Sequence, residues 1–96
     1  MRRKVDVVFE IARLVDAGPF HMSTGSTEPR ALFDAVNVEL GLGVPTGGTK
    51  PEMARGIVEA SGSRWLPQYE SAGGTVTLDG LHAVLNAVRF FTGGDA

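Results

Sequence analysis

Apolar residues recur at three- and four-residue intervals in four stretches of this chain, and glycine, proline or a hydroxyl residue fences each stretch. That spacing gathers an apolar stripe on one side of a helix and leaves the other side to water. In the first stretch, residues 3–17, the stripe is Val5, Val8, Phe9, Ala12 and Val15, widened by Ile11 and Leu14, and Gly18-Pro19 stops it. The second runs from about Glu28 to Leu40 with Leu32, Ala35, Val36 and Leu40 on one face. Pro29 falls in its first turn, where a missing N–H removes no intrahelical bond. The third opens with Thr49-Lys50-Pro51-Glu52, a Thr-x-x-Glu capping box in which Thr49 accepts the Glu52 N–H and Glu52 reaches back. Its buried stripe is Met53, Ala54, Ile57 and Val58; Glu52, Arg55 and Glu59 face outward, and Gly62 ends it. The fourth spans Leu78 to about Thr92 on Leu81, Val84, Leu85, Val88 and Phe91, with Asp79 in the first turn to complement the helix dipole.

Between the helices the pattern breaks. Gly41 to Pro45 reads as a short extended connector, and residues 63–74 read as an ordered loop anchored by Trp65 and Tyr69. Thr75-Val76-Thr77 is open to two readings, a short paired strand or a simple lead-in to the last helix. The pattern therefore predicts an all-α fold, a single compact four-helix domain over residues 1–96 with Gly/Thr-rich loops and at most a minimal strand pair near 75–77.

Composition narrows the setting. The chain has no cysteine, which excludes disulfides and thiolate metal sites and fits a reducing compartment. No run approaches the roughly 18–20 apolar residues of a membrane span. Asp6 and Glu10 interrupt the apolar residues behind Met1-Arg2-Arg3-Lys4, against a secretory signal, so a cytoplasmic protein is expected. The bias of seven arginines over two lysines, with abundant Ala, Val and Gly, suggests a GC-rich bacterial source. Nine basic against eleven acidic residues leave a net charge of −2, so any affinity for nucleic acid has to come from local clustering.

Three glycine–threonine loops precede apolar segments: Gly25-Ser26-Thr27, Gly47-Gly48-Thr49 and Gly73-Gly74-Thr75. Each supplies a hydroxyl able to cap a helix. An open helix N-terminus behind glycines also presents unpaired N–H groups that suit an anion. Only the middle loop joins a capping box, two adjacent glycines and a cation. The first has Glu28 where Lys50 stands, and the third has Asp79 nearby and no cation. Gly47, Gly48, Thr49 and Lys50 are therefore the candidate phosphate site, with Arg55 and Arg64 as further contacts and Arg2, Arg3 and Lys4 as a basic arm. Trp65 and Tyr69 have two readings, bases stacked on their rings or ordinary core aromatics.

Catalytic motifs are missing. Gly43 to Lys50 departs from a P-loop because the order is Gly-Thr-Lys and a helix, not a strand, precedes it. His21 and His82 have no ligand-spaced partners, so no metal site is expected, and no cofactor or nucleophile elbow is evident. The expected protein is not an enzyme.

Residues 31–58, an apolar helix followed by Gly41-Leu42, Pro45, then Gly48-Thr49-Lys50 opening a second helix, resemble the SAP family of small helix/extended-loop/helix DNA-binding modules. Gly43-Val44 lengthens the connector relative to that pattern, and Trp65 and the last helix lie outside it. The whole chain looks more like an accessory domain, similar to helical domains attached to bacterial restriction-type nucleases. The resemblance implies a non-catalytic module that contacts the DNA backbone, most naturally duplex DNA, through the Gly-Gly-Thr-Lys helix start. The competing expectation is a helical protein–protein interaction or dimerisation module, suggested by the near-neutral charge and by Phe90 and Phe91.

Overall fold

The computed structural model describes residues 4–15, 29–44 and 48–93 and is mostly helical. Its helices are α1 (Lys4–Leu14), α2 (Pro29–Leu40), α3 (Lys50–Ala60) and α4 (Leu78–Thr92), with one turn of 3₁₀ helix at Pro67–Tyr69 between α3 and α4. Each α-helix packs on the next and α4 returns to α1, its most extensive partner, so the four close around one core. Val7, Val8 and Ile11 from α1, Leu32, Phe33 and Val36 from α2, Met53, Ile57 and Val58 from α3, and Leu81, Val84, Leu85 and Val88 from α4 fill it. The all-α four-helix expectation holds. No helix among the described residues is long and apolar enough to cross a membrane.

Two stripes are rotated from their expected positions. At about 100° per residue, Val7, Val8, Ile11, Ala12 and Val15 occupy an arc of about 140°. Phe9 lies about 60° past its edge and is 44% exposed. On α2 the buried arc is Leu32, Phe33, Val36 and Asn37, and Ala35 is only partly covered. Gly18-Pro19, His21 and the first glycine–threonine loop lie outside the described residues.

Residues 63–74, expected as a loop, form one around the 3₁₀ turn at Pro67–Tyr69. Trp65 and Tyr69 meet edge to face with ring centroids 5.1 Å apart, and Trp65 packs on the core. The strand question resolves to a single antiparallel bridge between Glu70 and Val76, flanked by Ser71 N–H to the Thr75 carbonyl (2.9 Å) and Thr77 N–H to the Tyr69 carbonyl (2.9 Å). This changes the third glycine–threonine loop. The Thr75 hydroxyl faces Ser71 Oγ at 2.7 Å inside the loop, so Thr75 is not a helix cap. Thr77 caps α4 instead: its Oγ1 accepts from Gly80 N–H (3.2 Å) and donates to the Gln68 carbonyl (2.8 Å). The loop lies so close to α4 that a Cβ on Gly80 would strike the Tyr69 carbonyl oxygen and come within 2.6 Å of Val76 Cγ1.

Candidate nucleic-acid interface

The approach to α3 is built from α2. Asn37, 9% exposed, donates its side-chain amide to the Val44 carbonyl (2.8 Å) and accepts the Val44 N–H (2.9 Å), so one side chain satisfies both main-chain groups of a connector residue. Both groups are buried and would be costly to leave unpaired. The Val44 side chain presses on α3 at Gly56, where an added Cβ would lie 2.6 Å from Val44 Cγ1. Sequence reasoning passed over both residues. The available signals were an asparagine in helical phase with Phe33 and Leu40, and a glycine in the middle of an apolar helix.

Residues 45–47, Gly47 among them, lie outside the described residues. From Gly48 onward the expected capping box is present. Thr49 Oγ1 accepts the Glu52 N–H (3.3 Å), Thr49 N–H donates to Glu52 Oε1 (3.4 Å), and the Thr49 hydroxyl also donates to Glu52 Oε1 (3.1 Å). The consequence for an anion is direct. The main-chain donors at this helix mouth are Thr49, Lys50 and Glu52, since Pro51 has none. The box engages Thr49 and Glu52, which leaves Lys50 N–H as the donor for which the described residues offer no acceptor. The Glu52 carboxylate also overhangs Gly48, within 3.0 Å of where a Cβ would stand. The helix dipole is thus met by the chain's own carboxylate, and the Lys50 ammonium is the group at this mouth best able to attract a phosphate.

The remaining candidates lie along α3 without converging. Arg55 is exposed and its Nε pairs with Glu59 Oε2 at 3.1 Å, one helical turn away. Arg55 is five positions after Lys50, a rotation of about 140°, so they occupy different sides of the helix. Arg64 is exposed just beyond the end of α3. Among the described residues neither Lys50 nor Arg64 makes an ion pair; Arg13, exposed on α1, makes none either. Arg89 of α4 pairs with Glu10 of α1. Arg2 and Arg3 lie outside the described residues.

Of the two aromatic candidates, Trp65 packs on the core and Tyr69 meets it edge to face; both are half-buried, and the indole Nε1 is enclosed with no hydrogen-bond partner. His82 is half-buried on α4. Among the described residues no group of three His, Cys, Asp or Glu side chains could hold a metal. No family model matches the chain, and no curated protein or solved structure matches it.

Proposed function

We propose that this chain is a non-catalytic nucleic-acid-binding domain, with the backbone of duplex DNA as its partner and cationic side chains on and just past α3 as the contacts. The supporting observation is that Lys50 at the start of α3 and Arg64 just past its end have no carboxylate partner among the described residues. An α-helix of 11 residues is about 16 Å long, so the two cations sit far enough apart to meet separate phosphates. Arg55 contributes less, since Glu59 already neutralises it. Gly48 and Thr49 shape the helix start through the capping box, while Lys50 meets the ligand. A cytoplasmic, bacterial setting and an accessory role beside a larger enzyme belong to the same proposal, supported by the lack of cysteine and the SAP-like spacing.

Titration of a short duplex at low salt tests this reading with Lys50→Glu and Arg64→Glu beside wild type. Each reversal is expected to weaken binding several-fold. No wild-type binding at low salt, or reversals that bind as wild type does, would overturn it.

One observation favours a second reading, a protein-interaction or self-association module. Phe90 is 68% exposed on α4 and touches Phe91 edge to face at 5.5 Å. Sedimentation over a wide concentration range separates the self-association form from a monomer.

A further inference from the structure

We infer that Asn37, Val44 and Gly56 act together as a positioning device that sets how α3 presents its basic start to a ligand; this rests on the nucleic-acid reading above. Val44 is gripped from both sides. Asn37 of α2 holds its N–H and carbonyl at 2.9 and 2.8 Å, and Gly56 of α3 receives its side chain where any Cβ would overlap it. The residue is 9% exposed, so it cannot move outward without breaking the Asn37 bonds or opening the core. Val44 stands five positions before Thr49, so this grip fixes the chain upstream of the capping box. Asn37 and Val44 are buried and Gly56 has no side chain, so none of the three is itself a ligand contact; each acts by fixing Val44 against α3. Lys50 affinity therefore depends on residues buried on α2 and in the middle of α3.

The test uses clearance. Gly56→Ala drives a methyl group into Val44, and Val44→Ala removes the Cγ atoms it meets. Duplex binding is measured at low salt for wild type, Gly56→Ala, Val44→Ala, the double variant, and Asn37→Ala, at a temperature where circular dichroism shows each folded. Gly56→Ala is expected to weaken binding about 3–10-fold, and the double variant to recover most of the loss, a rescue that general destabilisation would not give. Should Gly56→Ala not fold, Asn37→Ala reads the same grip from the other side and is expected to show the same loss. Wild-type binding with Gly56→Ala unchanged, or a double variant no better than Gly56→Ala alone, overturns the inference and leaves the nucleic-acid reading standing. An absence of wild-type binding removes both. Amide hydrogen exchange at Thr49 and Glu52, which needs no DNA, is expected to quicken in Gly56→Ala and to recover in the double variant; exchange unchanged in Gly56→Ala overturns the grip.

Discussion

A glycine inside a helix costs about 1 kcal/mol relative to alanine, and two such residues here stand where another segment of the chain lies against the helix. At Gly80 the obstacle to a side chain is main chain, the Tyr69 carbonyl, backed by Val76. At Gly56 it is the Val44 side chain. Backbone yields less readily than a side chain, so the two sites should differ. Gly80→Ala is expected to destabilise the fold by about 1–3 kcal/mol despite the gain in helix propensity. Gly56→Ala should cost less, because Val44 can shift at the expense of its Asn37 bonds. Urea unfolding of the two variants measures this; equal stabilities, or a Gly80→Ala more stable than wild type, would contradict the packing described. These residues were hard to read from sequence because a glycine's role in close approach lies in what faces it. The helical pattern around Gly56 and Gly80 was plain; the partners, Val44 and Tyr69, are 12 and 11 residues away.

At the scale of elements, local chemistry was legible where it closes within a few residues. The Thr49–Glu52 box lies within four consecutive residues and is present as the sequence predicts, and so are the limits of α4. The third glycine–threonine loop misled because Thr75 and Thr77 are equally good caps by type, and only the Glu70–Val76 bridge decides between them. That bridge commits Thr75 to Ser71 and brings Thr77 to the helix mouth. Thr77→Ala is therefore expected to cost about 1 kcal/mol, in the range for loss of a hydroxyl cap, and Thr75→Ala clearly less. Thermal melts of the pair settle the order, and the reverse order would place the cap at Thr75. The candidate site shows the same limit. Its sequence announced an anion-friendly helix start, but the box that makes it recognisable also engages two of its donors, Thr49 N–H with the Glu52 carboxylate and Glu52 N–H with the Thr49 hydroxyl. Glu52→Gln separates these roles, since glutamine can still reach back as Glu52 does while removing the negative charge. Duplex affinity at low salt is expected to rise severalfold with little change in melting temperature. An unchanged affinity would mean that no phosphate comes near this mouth.

For the molecule as a whole, charge sets the strongest constraint. A net charge of −2 means that a DNA polyanion meets no general attraction, so binding must come from a few local cations. The described candidates are Lys50 and Arg64, with Arg55 held back by Glu59. Each phosphate neutralised contributes about −0.9 to the slope of log K against log salt on duplex DNA. Two to three contacts thus predict a slope of about −2 to −3 for the wild type. Removing the Lys50 charge with Lys50→Gln should reduce its magnitude by about 1. A protein partner docking on Phe90 would behave differently, because burial of an apolar ring depends little on salt and Phe90→Ser would abolish it. The two variants measured together against both partners therefore cross. Lys50→Gln should lower DNA affinity and leave self-association untouched, while Phe90→Ser should do the opposite. A DNA affinity that ignores Lys50→Gln but falls with Phe90→Ser would move the binding surface from α3 to α4.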